Sequence, residues 1–411
     1  MGESGKLFYG WIIVSISFLT LIVVCGSWSA FSIFMNSLQN EFNWDRASIS
    51  LAMSIGLIVY GSSLPFVGKL IDRYGARKVI LLASVSMGVS TILLNLISHI
   101  WHFYFLYGVC VAIGYAGAGL IANTSLVRNW FRERSELALS VMQSGLPFGQ
   151  LLVVPFAAYL IVVYSWRIAY LILGFILCVI IPMIVFFISR DSSNKEIDQP
   201  FVTSIGVNRL SFQNEPEINI LDHIKTRPFL TMIIVYFICG FTDIPIVTHM
   251  APFITDVGFS AMIAAYILSI IGGATWIGTL IFGFLSQRFD RRLLLVAIYF
   301  IRTVTFCLLL KSPYMSTLIL FSIFFGLTQF SMVPLISAWI GDNYGQMLMG
   351  RLFGTITLIH AIGASSGTYL DGLIFNKTNS YKLAFIVSSA LAFVASTLVY
   401  FIEENRDRTG N

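Results

Sequence analysis

Charge is scarce in this chain. Of its 411 residues only 11% are Asp, Glu, Lys or Arg, while 57% are hydrophobic; ordinary soluble domains carry about 25% charged residues. A water-soluble core cannot hide that much apolar surface, which excludes a soluble enzyme and a disordered chain alike. Cysteine is sparse too. Cys25, Cys110, Cys178, Cys239 and Cys307 each stand in a separate apolar stretch, without the spacing of a disulfide framework or a metal site, and read as small buried hydrophobes. No Gly-x-x-x-x-Gly-Lys-Ser/Thr loop occurs, so ATP does not drive the protein. Without a nucleophile or metal-ligand constellation, neither catalysis nor a cofactor is expected. A cleavable leader is not expected either, because the first apolar stretch is too long and runs on as a span.

What is present is a series of apolar runs of about 20 residues, the length that crosses a hydrocarbon layer of roughly 30 Å. Twelve are legible, at 9–34, 47–68, 79–98, 102–127, 136–160, 167–188, 229–252, 261–286, 293–311, 315–340, 352–375 and 381–402. The chain therefore reads as an all-α, polytopic membrane protein with twelve transmembrane helices. Its net charge of +5 belongs to topology rather than to nucleic-acid binding. With the N-terminus inside, 19 basic residues face one side, and Arg46, Arg167, Lys311, Lys377 and Lys382 face the other. The positive-inside rule then places both termini in the cytoplasm of a cell membrane.

The longest polar interval, 189–227, contains Pro200, Pro216 and mixed charge, and reads as a cytoplasmic linker between a bundle over 1–188 and another over 228–411. The two halves repeat. Gly68-Lys-Leu-Ile-Asp72-Arg73-Tyr-Gly75-Ala-Arg77 returns 215 residues later as Gly283-Phe-Leu-Ser-Gln287-Arg288-Phe-Asp290-Arg-Arg292. The same offset relates Ser165-Trp-Arg-Ile-Ala-Tyr170 to Ser380-Tyr-Lys-Leu-Ala-Phe385. Two pseudo-symmetric six-helix bundles follow, the parallel repetition known in one class of transporters.

Gly68, Leu70, Asp72, Arg73, Gly75 and Arg77 resemble the loop signature of the major facilitator superfamily. The branch most resembled is the monocarboxylate porter and oxalate–formate exchanger group. Tyr9-Gly10-Trp11 is similar to its opening, Trp130-Phe131-x-x-Arg134-x-x-Ala138 leading into Gly145 to its fifth-span entry, and Asp256-x-Gly258-x-Ser260 with Ala264-Ala265 to its eighth. The resemblance implies a secondary carrier whose bundles rock about a central site. It departs where the branch carries a carboxylate-holding arginine beside a glycine in span eight, since Gly278 is followed here by Thr279. Asn376 and Asn379 replace an acid and a glycine after span eleven. Tyr107 replaces the arginine of the sugar and drug branches, and Gly145-Leu-Pro147-Phe-Gly149 lacks the antiporter order.

The signature loop has a physical reading as a cytoplasmic latch formed by Gly68, Asp72, Arg73, Gly75 and Arg77. Asp72 can accept from a helix N-terminus, Arg73 and Arg77 can meet acidic partners or anionic lipid, and the glycines allow close backbone approach. Basic topology alone is the alternative account of the arginines.

Ionisable residues at mid-depth are functional candidates. Counting ~1.5 Å per residue from the nearest cytoplasmic charge puts Arg302 and His360 near the midplane and Asp243 somewhat further out; Pro245 is expected to kink Asp243's helix. His249 lies toward the outer mouth. The expected substrate site comprises Arg302, His360, Tyr60, Tyr115, Gln143, Trp276, Thr279 and Gln329, with Arg302 binding a carboxylate bidentately. Asp243 and His360 are the candidates for proton coupling. Arg302 and Asp243 can equally form a structural pair, His360 a helix–helix hydrogen bond, and Asp243 a cap on the kink; Tyr60, Tyr115 and Gln143 can be packing residues.

The expected function is proton-coupled transport of a small organic anion, with a small molecule, protons and membrane lipid as partners. A monomer suffices, because one chain supplies both bundles. The rivals are a carrier or exporter of neutral, zwitterionic or amphipathic solutes, and a non-transporting sensor on a carrier fold.

Overall fold

The computed structural model describes residues 3–131, 135–188, 224–310 and 314–402. Its repeat is set by local backbone chemistry. Asn43 and Gly258 stand 215 residues apart and both take positive φ, at 54° and 96°, where Asn and Gly meet the least steric resistance. Two residues on, Asp45 and Ser260 cap the next helices, Asp45 accepting from the Ser48 N–H at 2.7 Å and Ser260 from the Ile263 N–H at 3.3 Å. Side-chain oxygens there satisfy amides that have no partner within the helix.

Eleven helices among the described residues are long and apolar enough to cross a membrane. They are α1 (Tyr9–Phe42), α2 (Arg46–Tyr74), α3 (Ala76–Leu96), α4 (Ile100–Arg128), α5 (Glu136–Val163), α6 (Trp166–Phe187), α7 (Arg227–Asp256), α8 (Ala261–Leu285), α9 (Arg291–Leu310), α10 (Met315–Tyr344) and α12 (Lys382–Tyr400). The expected eleventh span falls in α11 (Gln346–Thr378), which at 33 residues is the longest unbroken helix but carries Thr355, Thr357, His360, Ser365, Ser366 and Asp371. α11 packs against α7 of its own half and against α2 of the other. The helices form two pseudo-symmetric six-helix bundles, α1–α6 and α7–α12. Of the linker expected over 189–227, residues 189–223 lie outside the described residues, as does Arg134.

Small residues set the closest helix contacts. Within the second bundle, Gly240 of α7 faces the His360 carbonyl, and Gly363 of α11 faces the Phe237 carbonyl. A side chain at either position would collide with backbone, so α7 and α11 meet at van der Waals distance, as small residues allow in lipid. Gly240→Val is expected to cost about 1–3 kcal/mol by overpacking and to displace His360; thermal unfolding in detergent and binding assays check both effects.

The expected kink at Pro245 does not interrupt α7, which runs as one helix through Pro245 and Pro252. The break that matters for the site is in α10, where the first segment stops at Gln329 and the second starts at Met332.

Candidate functional site

The α10 break shapes the centre of the second bundle. The last carbonyls before a helix end have no intrahelical donor, and an arginine supplies donors here. Arg302 of α9 is 0% exposed; its Nη2 donates to the carbonyls of Thr328 and Gln329, both at 3.2 Å, and reaches Asp243 Oδ1 at 3.5 Å. Its Nη1 lies 3.8 Å from Cys239 Sγ and its Nε 3.4 Å from Thr328 Oγ1, and the guanidinium carbon stands 5.4 Å from the Phe325 ring centroid. The contact with Asp243 is longer than the roughly 2.7–2.9 Å of a strong charge-assisted bond. Arg302 is thus held as much by carbonyls as by its counter-ion.

His360 sits beside this pair. One donor atom each from Cys239, Asp243 and His360 lie within 4.8 Å of one another, a set that can in principle hold a metal ion. Arg302 already points at two of the three, and a divalent cation there would meet that fixed positive charge. The group fits a proton better than a metal.

His360 is half-buried, and its ring packs 4.7 Å from that of Tyr236. Across the interface, Gly61 of α2 faces Ala361 and Leu358, which brings Tyr60 to the level of His360. Tyr60 packs 5.0 Å from Tyr115, which stacks on Trp28 at 4.8 Å, and Trp28 in turn on Tyr107 at 5.5 Å. An aromatic wall with hydroxyls from the first bundle therefore faces the charged group of the second.

The remaining candidates are placed elsewhere. Trp276 donates to Ser144 Oγ at 3.2 Å and packs on Phe148, in the α5–α8 contact. Thr279 bonds back to the Thr275 carbonyl at 2.8 Å, and the buried Gln329 side chain accepts from Thr275 at 3.0 Å. Gln143 is exposed on α5. Arg302, Asp243, His360, Tyr60 and Tyr115 are brought together; Trp276, Thr279 and Gln143 form no part of that cluster, and Gln329 joins it through its backbone.

At the end opposite the termini the halves are bolted together. Arg46 of α2 clasps Asp256 of α7 with both nitrogens, at 2.5 and 2.6 Å, donates to Tyr381 Oη at 3.2 Å and to Gln39 at 3.3 Å, and lies 3.8 Å from the Phe375 ring centroid. Around it Asn36 donates to Thr255, Asn376 to Asp45, and Ser54 to the Ser365 carbonyl. Burial of Asp45 would raise its pKa, but the Ser48 N–H and the Asn376 amide outweigh that and hold the carboxyl below its usual range. In the first bundle, Glu41, the counterpart of Asp256 at the 215-residue offset, instead takes Trp166 Nε1 at 2.6 Å and Arg167. This gate was read from sequence only as an outward-facing charge and a motif residue.

At the other end, Gly75 closes α2 with φ 84°. Arg77 donates to the Phe186 carbonyl at 2.5 Å, and Arg73 lies over the ring of its neighbour Tyr74. Both of these contacts stay inside the first bundle, whereas the Arg46 gate spans the two.

The family model described as Major Facilitator Superfamily matches residues 17–278 and 268–411. The chain belongs to the major facilitator superfamily. It is a multi-pass membrane transporter. Among its superfamily relatives, the "Uncharacterized MFS-type transporter YcxA" of Bacillus subtilis (strain 168) is 30% identical over 399 residues, covering 95% of this chain and 93% of that one. Human monocarboxylate transporter 2 is 22% identical, with 94% and 84% covered, and rat monocarboxylate transporter 13 is 22% identical, with 94% and 87% covered. Among solved superfamily structures, a D-xylose–proton symporter superposes with a TM-score of 0.76 at 14% identity over 97% of this chain and 99% of that one. A bacterial homologue of the human lysosomal transporter Spinster, in an inward-facing and occupied conformation, gives 0.73 at 13% identity, over 98% and 97%. These two likenesses establish the fold.

Proposed function

We propose that this transporter carries a small organic anion across a cell membrane by alternating access, with a proton moving alongside and both termini on the cytoplasmic side. The observation that carries the reading is the buried Arg302–Asp243 pair beside half-buried His360, facing the tyrosines of the other bundle. With Asp243 ionised, its charge offsets Arg302. A proton passed to Asp243 through His360 leaves Arg302 uncompensated in a low-dielectric wall, and an anion at the interface between His360 and Tyr60 then offsets it instead. Proton and anion favour each other because each balances charge that the other leaves. The monocarboxylate transporters among the relatives support the substrate class.

A second reading has its own support. Arg302 is wholly enclosed and donates to two carbonyls, as a structural cation would, and the solute is then neutral or zwitterionic. A thermal-shift screen of carboxylates, sugars and amino acids separates the two. A native-state ligand at a hundredfold excess over its Kd adds about 2.7 kcal/mol of apparent stability. Carboxylate stabilisation that is stronger at acid pH and lost in Arg302→Gln is the expected result. Stabilisation by neutral compounds, unchanged in that variant, selects the second reading.

A further inference from the structure

Asp371 of α11 is 4% exposed, and among the described residues its carboxylate has neither a hydrogen bond nor an ion pair. It lines a cavity of about 10 Å³ with His249 and Tyr381, closed by Pro245, Met250 and Phe385. One turn earlier on α11, Thr368 Oγ1 is also buried without a partner. A buried polar group is normally bonded, and this carboxyl, beside a small and largely apolar cavity, has no bonded donor.

The neighbours explain why none of them serves Asp371. The charged and titratable groups facing it are His249 of α7 and Tyr381, which precedes α12, with Arg46 of α2 and Asp256 of α7 behind Tyr381. Arg46 is spent on Asp256 and on Tyr381 Oη. Tyr381 Oη lies 3.0 Å from His249 Nδ1, and His249 Nε2 lies 2.9 Å from the Thr368 carbonyl. That carbonyl only accepts, so Nε2 carries a hydrogen, and Nδ1 is left to accept from the tyrosine. The Tyr381 hydroxyl and the His249 Nε2–H are both used within the chain Arg46–Tyr381–His249–Thr368, and the Thr368 hydroxyl makes no hydrogen bond to Asp371. An ionised Asp371 would have no donor and no cation, a costly state in a dry, apolar surround.

We infer that Asp371 is a proton-binding site sealed beneath the outer gate, and that the gate closes only over its protonated form. Gly372, next in sequence, packs directly on Ser50 and Ala47 of α2. Separation of the halves at this end therefore withdraws Arg46 from Tyr381 and admits water to the carboxyl, which releases its proton to the outer solution. Acid outside holds the gate shut; alkaline solution lets it open. The inference rests on alternating access and not on the identity of the substrate.

The test uses the full chain, free of native cysteines, with spin labels on Asn40→Cys and Thr378→Cys, one in each bundle at the outer end, in lipid nanodiscs. Distances measured by double electron–electron resonance from pH 5 to pH 9 are expected to show the open-to-closed ratio rising at least about tenfold, since one linked proton permits up to tenfold per pH unit. Asp371→Asn, which keeps the shape of the neutral acid, is expected to stay closed at every pH, and Asp371→Glu to retain the response. A flat response in the unsubstituted protein overturns the inference without any variant. So does a response that survives in Asp371→Asn but disappears in His249→Gln, which assigns the proton to the imidazole. A ratio that follows sodium concentration rather than pH assigns the cavity to a metal cation and likewise overturns it.

Discussion

Arg302→Gln is expected to abolish proton-coupled anion flux in liposomes and to lower the stability of the folded transporter by about 3–5 kcal/mol, the cost of removing one member of a buried ion pair. The loss arises twice over. Asp243, 2% exposed, keeps a charge with nothing to balance it, and the carbonyls of Thr328 and Gln329 at the α10 break lose their donor. A second substitution separates these contributions. Arg302→Gln with Asp243→Asn removes both charges, and glutamine retains one donor for the carbonyls, so most of the stability is expected to return while flux does not. Denaturant unfolding in detergent reads the first quantity and flux under an imposed pH gradient the second. Flux restored in the double variant would make the pair structural glue and select the neutral-solute reading.

The contrast between Arg302 and its partners shows what a sequence carries. An isolated arginine in an apolar run declares its depth by counting, and the 215-residue repeat is visible in the segments that begin at Gly68 and Gly283 and at Ser165 and Ser380; the structure adds the turns at Asn43 and Gly258 and the caps at Asp45 and Ser260. The carbonyls that hold Arg302 gave no such signal. The α10 break falls at Phe330 and Ser331, where Pro334 cannot donate to the Phe330 carbonyl four residues back, whereas α7 passes two prolines unbroken. A proline alone therefore does not tell a break from a continuous helix. Asp371 escaped for a different reason. It lies six residues before Lys377 and so counts as near the surface; Pro245, His249 and Met250 of α7, with Tyr381 and Phe385 at the start of α12, enclose it. Arg46 and Asp256 are 210 residues apart, and no periodicity or composition links them.

That long-range pair yields the other large effect. Arg46→Gln or Asp256→Asn is expected to shift the outer end toward its open form by roughly 10- to 150-fold, the equivalent of the ~1.5–3 kcal/mol carried by hydrogen bonds to charged groups. The pair is unlike an ordinary surface bridge, which contributes about 0–1 kcal/mol. Arg46 is 4% exposed, bidentate, and stacked on Phe375, so its geometry is fixed before the acid arrives. Asp256 remains a third exposed and places the effect toward the lower part of that range for its own substitution. Ser50→Cys reports the change, because Ser50 is buried against Gly372 while the gate is shut and an impermeant thiol reagent reaches it only after opening. The exchanged variant, Arg46→Asp with Asp256→Arg, is expected to restore closure in part. It rebuilds the ion pair but leaves the Phe375 ring and the Tyr381 hydroxyl facing the wrong partner. A full return to the original labelling rate would show that charge alone holds the gate, and no return would show that the stacked, hydrogen-bonded position of Arg46 matters more than its sign.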